Sequence, residues 1–468
     1  MSNIESETSI KCQVDILTQL PKEVICCVLL DWVELSDVCR VDSAYCSHSL
    51  RDLFLQVLSS DWFVYSDMPI HYMSKVPPFI TWSVQRGIHV NTADLSSNIN
   101  QHLLCKFLQI CTTKNLKCLA LHDFNSDSKI FNALSKECAH LRDLICSSCQ
   151  FGRSLPPMLR ALKQLEILSI ESCKSLRATQ FKGVNLPKLH TLAIVDCECN
   201  NATLKAVCAA SPVVRRLLLT KSHSFTSSCL VQALQPMHTT LRVLGLEGLP
   251  FLTDEAVTQI ASLLPSLEVI DLSHCTSLTN TAIVALAKEC PLIQRVYIQH
   301  NENYTDAALA ALAVHSQHLV ALHASYCGGF SPQGICSLLD SCHRVDTLYF
   351  GGGRRQLFMQ EDLILIVSNC AQLTYKLSLN VPILSDKVLE AIGKYCKRLQ
   401  HLDLHTCNGY TDKGMLQVAM RCTKLLNLVV SESSLGVLAP LARGLWEFMR
   451  PDLQISVDPT ELGYDLLS

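Results

Sequence analysis

Apolar positions along the chain recur as short strand patterns followed by amphipathic helix patterns. In one copy, Leu267, Ile270 and Leu272 have the spacing of a strand that buries alternate side chains, and the Ala- and Leu-rich stretch after it ends at Cys290. The copies begin, at intervals of 24 to 29 residues, at Leu116, Leu141, Leu165, Leu189, Val214, Leu241, Leu267, Ile293, Leu319, Val345, Thr374 (displaced by one residue), Leu399 and Leu425. Because such a unit can bury its apolar face only against its neighbours, the pattern predicts stacked strand–turn–helix repeats.

The predicted helices begin with capping residues. A Thr or Ser followed by Asp or Asn stands at Thr253, Thr279, Thr305, Ser385 and Thr411, and Ser331 precedes Pro332. A hydroxyl caps a helix N-terminus, an acid there suits the helix dipole, and proline fits the first turn. The interval and the L-x-x-L-x-L core are those of leucine-rich repeats. The sequence therefore predicts an α/β fold, a leucine-rich-repeat solenoid of about 13 repeats over residues 88–440.

The composition agrees with a large buried core. The 468 residues are 49% hydrophobic and 17% charged, with a mean hydropathy of +0.23. No apolar run approaches the roughly 18 to 20 residues of a membrane span, and the polar N-terminus lacks a signal-peptide pattern. A net charge of −3 produces no strong field for nucleic acid or a membrane surface. We therefore expect a cytoplasmic or nuclear protein that binds neither nucleic acid nor a membrane.

Many of the 25 cysteines recur in two positions of the repeat, which argues against disulfides and metal. They follow the strand or end the helix at Cys149, Cys173, Cys197, Cys275, Cys327 and Cys407, and at Cys138, Cys208, Cys290, Cys342, Cys370, Cys396 and Cys422. Such recurrence predicts columns of buried, reduced thiols. The CxxC spacing of Cys146 and Cys149 has no second matching pair, so we expect no metal and no cofactor.

The repeats resemble the cysteine-containing subclass of leucine-rich repeats, most clearly from Cys290 to Ile335 and from Cys396 to Cys422. That subclass is found mainly in F-box proteins, the substrate receptors of SCF-type ubiquitin ligases. The resemblance implies an F-box ahead of the repeats.

Residues 14–60 resemble a divergent F-box. They contain an L-P-x-E-V opening and a first amphipathic helix pattern, but they lack the tryptophan that commonly follows the V-C-R motif. By this resemblance the adaptor-binding residues are Leu20, Pro21, Val24, Val28, Leu29 and Trp32. The implied partners are a Skp-family adaptor and, through it, a cullin. The alternative is a helical module that only covers the first repeat.

The other segments are predicted as a flexible N-terminus (1–13), a packed linker (61–87) with a capping strand after it, and a C-terminal cap and tail (441–468).

No P-loop, nucleophile elbow, zinc-protease motif or dinucleotide fingerprint occurs, so we expect no enzymatic activity. The run from Gly351 to Arg355 is either an insertion in one repeat or, with a following helix, a phosphate cradle.

The concave face of the repeats is the predicted partner-binding surface. Outward positions of successive strands form rows about 4.8 Å apart, and the C-terminal half presents aromatic, histidine and charged residues there. The predicted partner-binding residues are Asp271, Arg295, Tyr297, His323, Tyr349, His401, Asp403 and His405. We expect Tyr297, His323 and Tyr349 to lie side by side and exposed. Such residues are typical of protein-binding hot spots, although Tyr and Thr also simply favour strands.

Two functions agree with this pattern. By resemblance, the chain is a non-catalytic substrate receptor that holds a protein on its concave face while its N-terminal helices bind the adaptor. The alternative is a repeat scaffold that binds a partner protein without assembly into a ubiquitin ligase.

Overall fold

The computed structural model describes residues 54–58, 64–65, 76–111, 116–125, 129–174, 176–353, 358–431 and 453–456. The chain forms two compact units, Met1–Leu189 and His190–Ser468. No helix among these described residues is both long enough and apolar enough to cross a membrane.

The first unit begins with the parallel pair β1 and β2 and continues with alternating helices and strands. Residues 54–58 are also helical. The elements are β1 (Val64–Tyr65), α1 (Val76–Arg86), β2 (His89–Val90), β3 (Thr92–Ser96), α2 (Gln101–Cys111), β4 (Cys118–His122), α3 (Ile130–Glu137), β5 (Asp143–Ser147), α4 (Leu155–Ala161), β6 (Ile167–Glu171) and a 3₁₀ turn (Ala178–Gln180). Strands β3 to β6 pair in parallel, each with the next.

The second unit repeats the same alternation. Its elements are β7 (Thr191–Val195), α5 (Asn201–Ala210), β8 (Arg216–Leu218), α6 (Ser227–Leu234), a 3₁₀ turn (Gln235–Met237), β9 (Val243–Gly245), α7 (Asp254–Leu263), β10 (Val269–Asp271), α8 (Asn280–Glu289), β11 (Arg295–Tyr297), α9 (Asp306–His315), β12 (Ala321–His323), α10 (Pro332–Ser341), β13 (Thr347–Gly351), α11 (Gln360–Ser368), β14 (Lys376–Asn380), α12 (Asp386–Tyr395), β15 (His401–Leu404), α13 (Asp412–Arg421), β16 (Asn427–Val430) and β17 (Gln454–Ser456). Strands β7 to β17 pair in parallel, each with the next.

The predicted leucine-rich-repeat solenoid is confirmed. A parallel strand begins two residues after each of the 13 predicted first positions, including Thr374. Those first positions are buried except at Thr374, where Leu373 fills the core instead. The displacement arises because this repeat has one extra residue between its buried leucine and its strand.

The predicted helix caps are also present. Helices α7, α8, α9, α10 and α13 begin after Thr253, Thr279, Thr305, Ser331 and Thr411, and each of these hydroxyls accepts a backbone N–H of its own helix. Helix α12 begins after Ser385 as predicted, but without a side-chain cap.

A second set of bonds links several of these caps to the preceding repeat. The carboxylate of Asp306 accepts the backbone N–H and the hydroxyl of Ser331, and Asp254 accepts the same two groups of Thr279. Asp386 does so for Thr411, whereas Asn280 makes the equivalent pair with Thr305. The Thr or Ser hydroxyl therefore caps its own helix, and the Asp or Asn that follows it binds the cap of the next repeat.

The cysteines lie where the repeat predicts them, buried and without disulfide bonds among the described residues. The thiols of Cys275, Cys327 and Cys407 each donate to a carbonyl of the preceding repeat at 3.1 Å. Asn301 occupies the same position and donates to the carbonyl of Leu272 at 2.9 Å. At these four turns the side chain thus satisfies a backbone carbonyl of the preceding repeat.

Candidate functional site

The parallel register brings one row of predicted partner-binding residues together in the second unit. Asp271, Tyr297, His323, Tyr349, Ser378 and Asp403 are paired from strand to strand. We call Tyr297, His323 and Tyr349 the aromatic row. Its rings are stacked, with centroids 4.1 Å apart between Tyr297 and His323 and 4.0 Å apart between His323 and Tyr349. The prediction that these three residues lie side by side is confirmed.

The prediction that the aromatic row is exposed is wrong. Tyr297, His323 and Tyr349 are only 7%, 5% and 5% exposed. Strands about 4.8 Å apart hold the rings face to face, so each ring covers its neighbours. Such stacking contributes to stability as well as to any binding surface.

A second stack runs parallel to the aromatic row, three residues further along each repeat. His274, His300 and Tyr326, which we call the outer stack, have centroids 4.1 and 4.3 Å apart. All three have left-handed backbones, with φ of 59°, 57° and 60°. Non-glycine residues adopt this region infrequently, so the backbone itself aligns these side chains.

A cavity of about 160 Å³ lies between the two stacks. Tyr349 of the aromatic row borders it on one side, and His300 and Tyr326 of the outer stack border it on the other. Its remaining lining is polar: Gln299, Ser325, Lys376, Ser378, Asn380, Asp403 and His405.

Three consecutive glycines in the repeat of β13 pack closely against neighbouring residues, among them Tyr326 and Asn380 of the cavity lining. Gly351, Gly352 and Gly353 stand where the preceding repeat has Ser325, Tyr326 and Cys327. A Cβ atom at Gly351 would lie 2.6 Å from the backbone oxygen of Asn380, and φ there is +100°. At these three positions the repeat therefore contributes no side chain. The next helix among the described residues, α11, begins at Gln360.

The missing side chains allow a contact between repeats that are not neighbours. The amide Nδ2 of Asn380, at the end of β14, donates to the hydroxyl of Ser325, which follows β12, at 2.6 Å. Both side chains are buried, and strand β13 lies between their strands. The bond stabilises the polar wall of the cavity.

A buried ion pair forms another wall. The ammonium of Lys376 lies 3.8 Å from Oδ2 of Asp403, and both side chains are 4% exposed. The same ammonium lies 4.8 Å from the ring centroid of Tyr349. Asp403 also accepts the hydroxyl of Ser378 at 3.2 Å and Nδ1 of His405 at 2.8 Å. Such a pair is costly to break, because the remaining charge stays buried.

Burial and charge shift the pKa values of these groups. Burial lowers the pKa of Lys376, and Asp403 partly offsets that effect. Burial alone would raise the pKa of Asp403, but the hydrogen bond from His405 and the charge of Lys376 keep it below its usual range. Burial, Lys376 and Arg295 together hold the pKa of His323 well below its usual value. The lowered pKa values leave the Asp403 carboxyl ionised and the His323 ring neutral at neutral pH.

The remaining predicted residues lie around this cavity or outside the described residues. Asp403 and His405 line it with Tyr349, whereas the exposed Arg295 and the buried His401 lie in the adjacent row, on either side of Ala321, Thr347 and Lys376. Asp271 is buried at the far end of the first row. The predicted adaptor-binding residues Leu20, Pro21, Val24, Val28, Leu29 and Trp32 lie outside the described residues.

Lys376, Ser325, Asn380 and Tyr326 were not predicted as site residues. No distinct signal in the sequence marks Lys376, because its strand alternates polar residues (Lys376, Ser378 and Asn380) with leucines. The Ser325–Asn380 bond could not be predicted either, because 55 positions separate the two residues. Across the described parts of the chain, no three His, Cys, Asp or Glu side chains are grouped as metal ligands.

Comparison with known proteins supports the fold. No family model matches the chain. A chain of similar structure comes from the "Crystal structure of Rad7 and Elc1 complex in yeast", with a TM-score of 0.50 and 17% sequence identity. The similarity covers 82% of this chain and 87% of that chain.

Proposed function

We propose that the protein is a non-catalytic substrate-binding subunit of an SCF-type ubiquitin ligase. The observation that carries the proposal is the cavity between the two aromatic stacks in the second unit. A rigid sheet that presents aromatic rings beside a partly polar cavity is suited to hold side chains of a protein partner. Substrate binding is assigned to this face, which we call the open face.

The N-terminal segment supplies the second half of the proposal. Residues 14–60 resemble an F-box, and Leu20, Pro21, Val24, Val28, Leu29 and Trp32 are its proposed contacts with a Skp-family adaptor. The similar solved structure is of a complex of Rad7 and Elc1, which supports a role for this fold inside a protein complex. The adaptor would link the chain to a cullin, in the cytoplasm or the nucleus.

The chain would then act through proximity. Ubiquitin transfer would be performed by an associated conjugating enzyme, and this protein would hold the substrate so that its lysines reach the thioester. Restricting two reactants in this way converts a bimolecular encounter into an effectively intramolecular one.

Affinity purification of the tagged full chain tests this proposal. Wild-type protein should recover a Skp-family adaptor and a cullin, and Leu20→Ala/Pro21→Ala should lose both. The matched control is Pro291→Ala/Leu292→Ala, which changes the same two residue types at exposed positions between α8 and β11. That variant should recover both partners like the wild type.

A different set of recovered proteins would count against this proposal. Recovery of a protein bound to the open face without adaptor or cullin would contradict the ligase assignment. It would favour the alternative, a repeat scaffold for protein–protein interaction, whose binding surface would be the cavity lined by residues of the second unit.

A further inference from the structure

We propose that the cavity between the two aromatic stacks binds a single anionic group of a peptide segment, either a carboxylate or a phosphoryl group, with Lys376 as its main donor. This inference rests on the part of the proposed function that assigns substrate binding to the open face. It does not depend on the adaptor.

The ammonium of Lys376 has donor capacity directed at the cavity. Its contacts with described residues are Oδ2 of Asp403 at 3.8 Å and the ring of Tyr349, whose centroid is 4.8 Å away. Neither contact is a short hydrogen bond, yet the side chain is 4% exposed and lines the cavity. An ammonium carries three donors, and a buried charge is stabilised by each partner that it gains.

The carboxylate of Asp403 does not compete for a cation from outside. Oδ1 accepts the backbone N–H and Nδ1 of His405, and Oδ2 accepts the hydroxyl of Ser378 and faces Lys376. Its acceptor positions are therefore directed to the protein itself. A cationic ligand would face the ammonium of Lys376 and a carboxylate, Asp403, that already accepts hydrogen bonds from the protein. An anionic ligand would face a hydrogen-bond donor, the Lys376 ammonium.

A second donor lies across the cavity. The oxygen of Ser325 accepts Nδ2 of Asn380, which leaves its hydroxyl hydrogen able to donate to a bound group. Around Lys376 the charged and titratable neighbours are Asp403, His405, His401 and His323. Among the described lining residues Lys376 and Asp403 are the two fixed charges, so the preference for an anion comes from the donors of Lys376 and Ser325 and from the already bonded oxygens of Asp403.

Size and surroundings indicate that the anion is part of a peptide. A cavity of about 160 Å³ holds one small group and not a folded element. Tyr326 and Tyr349 border it, and their rings can pack against the chain that carries the anionic group. A free inorganic anion would leave these aromatic surfaces uncovered.

Saturation-transfer NMR titrations of the full chain with small blocked probes test this proposal. The anionic probes are N-acetylglycylglycine for a C-terminal carboxylate, N-acetylglutamate N-methylamide for an acidic side chain, and N-acetylphosphoserine N-methylamide for a phosphoryl group. N-acetylglutamine N-methylamide is the neutral control. Inorganic phosphate represents a free anion, and its binding is measured by its competition with the blocked probes.

At least one anionic probe should bind at least tenfold more tightly than the neutral probe and more tightly than phosphate. Its affinity should fall at least tenfold in Lys376→Met and remain unchanged in Lys424→Met, which removes an exposed lysine. If Lys376→Met is unfolded by circular dichroism, Lys376→Met/Asp403→Asn carries the test, because it removes both buried charges together.

Three results would overturn the inference: equal binding of anionic and neutral probes, unchanged affinity in the Lys376 variants, or phosphate binding as tightly as the blocked probes. The titrations use this chain alone. Failure of adaptor capture would therefore not alter them, and their failure would leave the adaptor assignment standing.

Discussion

Tyr326 packs directly against Gly352. A Cβ atom at residue 352 would lie 2.6 Å from the ring carbons Cδ1 and Cε1 of Tyr326, so the outer stack ends on a bare backbone. The left-handed φ of +78° at Gly352 adds a second reason for glycine. Gly352 thus allows the close packing at which the outer stack ends.

We therefore expect Gly352→Ala to destabilise the protein by more than backbone strain alone. A left-handed alanine costs about 1 kcal/mol, and displacement of the Tyr326 ring should add about 1 to 3 kcal/mol. Gly183→Ala is the matched control, since φ is +69° and the nearest atom to the added Cβ is 3.9 Å away. Urea denaturation of both variants measures the difference, and equal losses would contradict the predicted clash.

Replacing a ring of the aromatic row should change stability as well as binding. Tyr297→Ala removes a buried ring stacked on His323, and we expect the free energy of unfolding to fall by at least about 1 kcal/mol. Tyr297→Phe keeps the ring and should lose less. Thermal melting of the two variants checks this, and partner capture should be compared only at temperatures where both are folded. An alanine variant as stable as the wild type would show that the stack contributes nothing.

The hydrogen bonds that link the caps of successive helices can be tested at Asp306. The equivalent position of the preceding repeat is occupied by Asn280, which suggests the substitution Asp306→Asn. Asp306→Ala removes the acceptor for the N–H and hydroxyl of Ser331, and loss of such a capping contact costs about 1 kcal/mol. Asp306→Asn should retain most of the stability, because Asn280 makes the equivalent pair with Thr305. The measurement is again urea denaturation. If both variants lose the same stability, the negative charge and not the bond geometry is what matters.

Asp271 should make stability depend on pH between about 4 and 6. Burial raises its pKa from 3.8 to about 6, although its hydrogen bonds to Ser273 oppose the shift. In this range the folded protein holds a proton that the unfolded chain has lost, so the stabilisation present below pH 4 is lost as pH rises through 6. Asp271→Asn removes this dependence and can keep the bond from the Ser273 N–H.

Relative to the wild type, Asp271→Asn should therefore gain stability from pH 4 to pH 7, by up to about 3 kcal/mol at 1.4 kcal/mol per pKa unit. Melting temperatures across that range measure the gain. The exposed Asp340→Asn should not reproduce it. A constant difference between wild type and Asp271→Asn would contradict the predicted linkage.

The repeat positions could be predicted from the sequence because they obey a local period. Leu267 and its equivalents, the cap at Thr253 and the thiol of Cys275 all follow from spacing within one repeat, and each lies where that spacing puts it. Thr374 departs by one residue because an extra residue precedes β14, and Leu373 takes the core position.

The cavity could not be predicted in the same way. Its lining residues come from five successive repeats, and the close packing of Gly351 and Gly352 against Asn380 and Tyr326 cannot be told in the sequence from an ordinary insertion. The burial of Tyr349 depends on how closely its neighbours in the adjacent repeats approach, which the period of one repeat does not contain. Contacts such as Ser325–Asn380 require the complete register of three strands.

The cap-to-cap bonds have a consequence for how such a chain can change its length. Asp254 with Thr279 and Asp306 with Ser331 are the same chemical pair, so loss of one whole repeat between them would let Asp254 meet Thr305 and restore an equivalent junction. Repeats that share this junction can replace one another, so the number of repeats can decrease or increase during evolution. The stretch from Ser325 to Asn380 is different, because its unlike residues must stay in one order to form the cavity. We therefore expect insertions and deletions of repeats to occur outside that stretch, so that the order of its residues is kept during evolution.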